Sequence, residues 1–184
     1  LIILGFPELM LLAIPAAPVF TWYLYLISKR EERGQRGVEL VGAGVLALAA
    51  PAAYWVSGGD DNFLAWILWS LSWLQSTASI VNIYMRLEQR QLDSLPSISA
   101  RLQMGRRTTA YHLFNLALVS ILASQALIPW LVVAAFGLML VDSLEGILRP
   151  AIGVKPTRIG LRQLVSSSIF VILTSLSFYF VQFL

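Results

Sequence analysis

The chain contains 184 residues, of which 58% are hydrophobic and only 12% are charged, and its mean hydropathy is +0.74. Soluble domains carry about 25% charged residues, so this composition excludes a water-soluble globular protein and predicts a polytopic membrane protein. The single histidine and the lack of cysteine exclude thiolate zinc sites, iron–sulfur clusters, disulfide frameworks and cysteine nucleophiles.

Charged residues divide the chain into apolar stretches that are long enough to span a membrane, which takes about 20 residues. Residues 108–141 carry no formal charge, and as one helix they would extend about 51 Å, well beyond a hydrocarbon core of about 30 Å. Pro129 suits the first turn of a new helix, where its missing N–H has no intrahelical partner, so we divide the stretch there. The result is one all-α transmembrane helical bundle over residues 1–184 with six predicted spans, at 8–28, 38–56, 62–86, 108–127, 129–148 and 161–183.

The distribution of basic residues supports six spans through the positive-inside rule. All 13 Lys and Arg fall in or beside the connections that follow the first, third and fifth predicted helices. The opposite side carries only Glu8, Asp60 and Asp61. We therefore expect the basic loops on the cytoplasmic side and both termini of the chain on the other side. This sorting accounts for the pI near 9.5 without a nucleic-acid partner.

The start of the chain differs from the start of a secreted protein. It opens with Leu1 in apolar sequence, LIILGFPELM, and shows no basic n-region or small-residue cleavage site. Pro7, Pro15 and Pro18 make the first predicted helix irregular. We therefore expect this chain to be the C-terminal part of a longer protein.

The third predicted helix has a polar face. Its members recur at spacings of three and four residues and are Ser72, Gln75, Ser79, Asn82 and Arg86. Because polar side chains that face hydrocarbon are costly, this face is predicted to point into the protein. Two interpretations stay open: hydrogen-bonded packing between helices, and the wall of a polar cavity that opens at Arg86.

Polar residues of the other predicted helices lie at the same membrane depth, again at helical spacings. Together they define a candidate pocket on the basic side, made of Asn82, Arg86, His112, Asn115, Asp142, Glu145, Arg149, Arg158 and Arg162. An anionic head group would suit this pocket, because Arg binds phosphate bidentately. In the alternative interpretation, Asp142 and Glu145 only neutralise nearby arginines, and His112 is a polar contact at a helix start.

The tryptophans form a second face of the third predicted helix, with Trp66, Trp69 and Trp73 on the helix and Trp55 before the outer loop. An aromatic belt at the membrane surface is one explanation, and a groove for a lipid, isoprenoid, quinone or pigment is the other. The sequence indicates no metal site. It has no P-loop, GxGxxG, HExxH or DDxxD motif, and the carboxylates of IYMRLEQRQLD lie among arginines, where Mg²⁺ would bind poorly.

Three segments of the chain resemble the YwiC-like family of bacterial integral membrane proteins. They read SKREERGQRGVELVGAGVLALAAPAAYW, STASIVNIYMRLEQRQ, and RRTTAYHLFNLAL through GILRPAIGVKPTRIGLRQLVSSSIF. The Tyr111-His112 pair and the KPTRIG turn are the most distinctive matches. The resemblance covers nearly the whole chain and implies additional N-terminal helices that begin with a His-Gly-Ala-Trp-type segment, but it implies no established activity. The layout is also loosely similar to that of UbiA-type prenyltransferases, without their aspartate motifs.

Three classes of function follow. The first is a non-catalytic protein that binds a lipid or isoprenoid or is an accessory or assembly subunit of a membrane complex, with membrane lipids and other membrane subunits as partners. The lack of a catalytic constellation, the short loops and the many small residues favour it. The second is a UbiA-like enzyme that acts on an isoprenoid or lipid diphosphate in the candidate pocket. The third, a transporter, has less support, because the sequence shows neither paired discontinuous helices nor an inverted repeat.

Overall fold

The computed structural model describes residues 7–28 and 36–181. These residues form one 3-10 helix, Pro7–Leu12, and seven α-helices: α1 Ala13–Ser28, α2 Arg36–Leu46, α3 Ala49–Val56, α4 Asn62–Gln89, α5 Ile98–Ser124, α6 Trp130–Leu148 and α7 Pro156–Val181. No β-strand occurs in these ranges. The predicted all-α class is therefore confirmed.

Four helical stretches are long and apolar enough to cross a membrane: Gly37–Val56, Asn62–Gln89, Trp130–Leu148 and Pro156–Phe180. They support a membrane protein with several transmembrane helices. Two of the six predicted spans are not among these stretches. Helix α1 has 16 residues, fewer than the roughly 17–25 of a typical span, and the apolar part of α5 is interrupted by His112 and Asn115.

Helix α5 begins ten residues before the predicted span that starts at 108. Ser97 is its N-cap, and the Ser97 hydroxyl oxygen accepts a hydrogen bond from the Ala100 amide at 3.3 Å. The predicted boundary followed the charges at Arg106 and Arg107. A helix can continue through them, because arginine has a high helix propensity.

The second predicted span is interrupted between α2 and α3. Pro51 has no N–H to donate to the carbonyl of Ala47, and the amide of Leu48 turns to Val45 O at 3.1 Å. The carbonyl of Gly44 thereby loses its usual helical donor, and it accepts the indole N–H of Trp69 at 2.8 Å instead. A side-chain donor from α4 thus stabilises the break.

The chain divides into two compact units, Leu1–Thr77 and Ala78–Leu184, within the single predicted domain. In the first unit, the 3-10 helix contacts α1 and α3, and α1 contacts α2. The first part of α4 is joined to α2 by the Trp69 bond and by a second indole bond, from Trp73 Nε1 to Leu40 O at 2.8 Å. These bonds fix the tryptophan face of α4 against α2.

The second unit contains the last part of α4 together with α5, α6 and α7. Helices α5 and α6 are antiparallel: Gly105 lies against Ile147, and the hydroxyls of Thr108 and Ser143 are hydrogen-bonded at 3.2 Å. The turn between them places Pro129 at the N-cap of α6. The rings of Phe136 on α6 and Phe170 on α7 meet edge to face, with centroids 4.9 Å apart.

Candidate functional site

An ion-pair cluster joins α6 to α7 in the second unit, and we define it as Asp142, Glu145 and Arg162. The two carboxylates are three residues apart on α6 and share a face. The Arg162 guanidinium donates to Asp142 Oδ1 from Nη2 at 2.6 Å and from Nε at 3.0 Å, and it also donates to Glu145 Oε2. Because all three side chains are 24–43% exposed, the cluster is partly hydrated. Its one guanidinium pairs with both carboxylates.

The C-terminus of α6 is held by three side chains, Arg86, Gln89 and Arg101, which we call the α6 cap. The last four carbonyls of a helix have no intrahelical donor and carry the negative end of the helix dipole. Arg86 Nη1 donates to Gly146 O at 2.9 Å and to Arg149 O at 3.1 Å. Gln89 Nε2 adds a second bond to Gly146 O at 3.2 Å, and Arg101 Nη1 donates to Leu148 O at 2.8 Å. The α6 cap is therefore a set of cationic and amide donors matched to free carbonyls.

The turn between α6 and α7, residues 149–155, is tied to the end of α4. The Ala151 amide donates to Gln89 Oε1 at 3.2 Å, and the Gly153 amide donates to Arg90 O at 3.3 Å. Arg90 Nε donates in return to Val154 O at 3.2 Å. Gly153 has φ +65, a left-handed conformation that glycine adopts without steric cost. The turn is consequently held by both backbone and side-chain bonds.

A small recess lies beside the ion-pair cluster. It is lined by Asn82, Ile83, Arg86, Asp142, Ile159, Arg162 and Gln163. Its volume is about 10 Å³, which is close to the space that one water molecule needs. Asn82 is 7% exposed, and its Oδ1 has no hydrogen-bond partner in the described part of the chain. The recess is suited to a single water-sized donor.

His112 and Asn115 lie on the face of α5 that is buried in the second unit, and neither lines the recess. The pairs Gly105–Ile147 and Thr108–Ser143 fix the antiparallel register. By that register His112 lies level with the middle of α6. It is 4% exposed, and both ring nitrogens lack a partner among the described residues.

The structure brings some of the predicted pocket residues together and leaves others apart. Asn82, Arg86, Asp142 and Arg162 line one recess, and Glu145 joins them through Arg162. The side chain of Arg149 contacts Glu145 at 3.4 Å and is 82% exposed. Arg158 is exposed near the start of α7, so these two arginines lie outside the recess, as do His112 and Asn115.

Two members of the α6 cap, Gln89 and Arg101, were not predicted from the sequence. Gln89 is fully buried and lies three residues after Arg86, so it continues the three-four spacing of the polar face of α4. That spacing was a usable signal. No comparable signal pointed to Arg101, because its role depends on α5 beginning before the predicted boundary at residue 108.

The tryptophan face forms a row in the first unit. The ring centroids of Trp55 and Trp66 are 6.2 Å apart, those of Trp66 and Trp69 are 5.8 Å apart, and those of Trp69 and Trp73 are 5.1 Å apart. The indole N–H groups of Trp69 and Trp73 are used in helix contacts. The row therefore has a packing role between α2, α3 and α4.

Among the described residues, no group of three or more His, Asp and Glu side chains could hold a metal ion. Comparisons with protein-family models, with curated proteins and with solved structures found no match to this chain. The geometry of the cap, cluster and recess is therefore the basis for the functional proposal.

Proposed function

We propose that this chain is a non-catalytic, multi-pass membrane protein that acts as a lipid-associated accessory or assembly subunit of a larger membrane complex. The proposal rests on what Arg86 and Arg162 bind, because their guanidiniums are the two best placed to hold an anionic substrate. Arg162 donates to Asp142 and Glu145, and Arg86 donates to carbonyls at the end of α6. The side chains that would bind a substrate instead join helices.

The size of the recess supports the same proposal. A UbiA-like enzyme must hold a diphosphate next to the reacting carbon, with hard oxygen ligands for Mg²⁺. A recess of about 10 Å³ holds about one water molecule. The nearby carboxylates, Asp142 and Glu145, are already paired with Arg162.

The membrane arrangement is part of the proposal. We propose six spans, with the basic connections on the cytoplasmic side and both termini of this chain opposite. The charge distribution supports this topology. The three segments that resemble YwiC-like proteins support assignment to that family of integral membrane proteins.

Incubation of the purified protein with farnesyl diphosphate and Mg²⁺ tests the proposal that the protein is non-catalytic. We expect no release of diphosphate or phosphate. We also expect that Arg86→Gln and Arg162→Gln leave any binding of farnesyl diphosphate unchanged. Turnover that either substitution abolishes would establish the UbiA-like enzyme instead. Both variants need a thermal melt in parallel, so that lost binding is separated from lost folding.

Mass analysis of the assembly that mild detergent releases from native membranes tests the proposal that the protein is an accessory or assembly subunit. We expect a particle that contains a second membrane protein in fixed stoichiometry with this one. A particle that contains only this chain and lipid would contradict the proposal.

A further inference from the structure

The start of α7 carries two positive charges that no described residue neutralises. Residues 149–162 read RPAIGVKPTRIGLR, with four basic residues and no acidic residue. Arg162 belongs to the ion-pair cluster, and Arg149 contacts Glu145. The side chains of Lys155 and Arg158 are exposed and make no hydrogen bond or ion pair with the described residues.

These two charges project from an ordered frame. The turn that precedes Lys155 is fixed to α4 by the bonds of Ala151, Gly153 and Val154 with Gln89 and Arg90. Arg158 is in the first turn of α7, where its amide donates to Lys155 O at 3.0 Å. A ligand that binds both side chains therefore meets a largely preorganised backbone.

One exposed face of α7 changes from cationic to aliphatic along its length. Leu161, Val165 and Ile172 follow Arg158 at spacings of three, four and seven residues, which keeps them on one side of the helix. They are 61%, 53% and 56% exposed. A cation followed by a row of aliphatic side chains matches a molecule with an anionic head and an alkyl chain.

We propose that this α7 face, made of Lys155, Arg158, Leu161, Val165 and Ile172, binds one anionic phospholipid. Lys155 and Arg158 hold the phosphate, and the aliphatic side chains contact one acyl chain. Basic residues near a membrane surface attract anionic lipid head groups. The proposal rests on the proposed lipid-associated role and names its lipid class and its site.

Calorimetric titration of the detergent-solubilised full-length protein with dioctanoyl phosphatidylglycerol tests this site. In the double variant Lys155→Gln/Arg158→Gln, we expect the dissociation constant to rise about 10- to 30-fold, because two phosphate contacts are lost. Arg106→Gln/Arg107→Gln is the matched control. It removes two exposed charges from the same predicted side of the membrane but from α5, and we expect a change of less than about twofold.

Two further ligands separate lipid binding from phosphate binding. Inorganic phosphate and dioctanoyl phosphatidylcholine should both bind much more weakly than phosphatidylglycerol, because the first lacks the acyl chains and the second lacks the net charge. Leu161→Ser/Val165→Ser should weaken phosphatidylglycerol binding while leaving the response to phosphate unchanged.

Equal losses in the two charge variants would overturn the site, because they would show a general effect of net charge. Phosphate binding as tight as phosphatidylglycerol binding would also overturn it. If the α7 variants leave lipid binding unchanged while a stoichiometric membrane partner is found, the proposed accessory function stands and the lipid site alone is wrong.

Discussion

At the scale of single residues, two buried amides of α4 differ in how they are satisfied. Asn82 and Gln89 are separated by seven residues and therefore lie on nearly the same helix face. Gln89 bonds to both Gly146 O and the Ala151 amide, whereas Asn82 Oδ1 has no partner within residues 7–28 and 36–181. A buried polar group contributes to stability only when it is bonded, so the two amides should respond in opposite ways to the same substitution.

Asn82→Leu and Gln89→Leu test this difference as a matched pair. Gln89→Leu leaves the Ala151 amide unpaired and should lower the free energy of unfolding by about 1–3 kcal/mol. Asn82→Leu loses no bond through Oδ1 and should leave stability unchanged or raise it by up to about 1 kcal/mol. The denaturant midpoint in detergent micelles measures both. A larger loss for Asn82→Leu than for Gln89→Leu would mean that Asn82 has a partner, such as a tightly bound water molecule in the recess.

Arg162 and Arg149 give a second residue-level comparison, since both contact Glu145. Arg162→Gln removes the cation that pairs with two carboxylates and should lower the free energy of unfolding by about 1–3 kcal/mol. Arg149→Gln removes a weak, largely exposed contact and should change it by less than about 0.5 kcal/mol. Thermal melts at low and high salt provide the measurement. Equal destabilisation by the two changes would contradict the assignment of Arg162 as the central cation.

At the scale of helices, hydrophobicity and charge predicted the approximate location of most helices but not how they begin and break. The separation of α5 from α6 near Pro129 could be predicted, because an uninterrupted helix would be too long for a membrane. The early start of α5 at Ile98 could not be predicted from the charges, since arginines mark a membrane boundary without ending a helix. Pro51 is a local signal for the break between α2 and α3. The bond from Trp69 to Gly44 O that stabilises the break could not be predicted, because such long-range contacts leave no periodic signal.

The candidate pocket shows the same limit of sequence reasoning. Helical spacing correctly grouped Asp142 with Glu145, because shared faces are a local property. Spacing could not determine which faces of different helices meet. His112 was grouped with the pocket by its spacing alone, and the structure places it on the buried face of α5, where it does not line the recess.

Gly105 is the clearest determinant of packing between α5 and α6. A Cβ atom at this position would overlap the side chain of Ile147. Gly105→Ala should therefore lower the free energy of unfolding by about 1–3 kcal/mol, as overpacked cores do. Gly137→Ala is the control on α6, where a Cβ meets no atom within 4 Å, and it should raise stability by up to about 1 kcal/mol.

The double variant Gly105→Ala/Ile147→Ala extends this test. Truncation of Ile147 removes the atoms that the new methyl group would overlap. The combined loss should consequently be smaller than the sum of the two single losses. Additive losses would show that the effect of Gly105→Ala does not arise from contact with Ile147.

At the scale of the whole chain, the sorting of charge is the basis of the proposed membrane topology. The last residues of α6 and the turn to α7 are bound by arginines of α4 and α5. The connection before α4 carries Asp60 and Asp61 instead, and Asp61 Oδ1 accepts the Phe63 amide at 2.8 Å at the start of that helix. Arginine-rich helix ends should therefore lie on the cytoplasmic side and the acidic connection on the opposite side.

Site-directed labelling of single cysteines tests this central claim most directly, because the chain has no cysteine of its own. Ser94→Cys and Thr157→Cys occupy exposed positions in or next to the basic connections, and Asp60→Cys and Gln125→Cys occupy exposed positions on the other two turns. In sealed vesicles of one orientation, a membrane-impermeant maleimide should label either the Ser94→Cys and Thr157→Cys pair or the Asp60→Cys and Gln125→Cys pair. It should label the remaining pair only after detergent is added. Labelling of Ser94→Cys and Asp60→Cys from the same side would contradict the six-span topology.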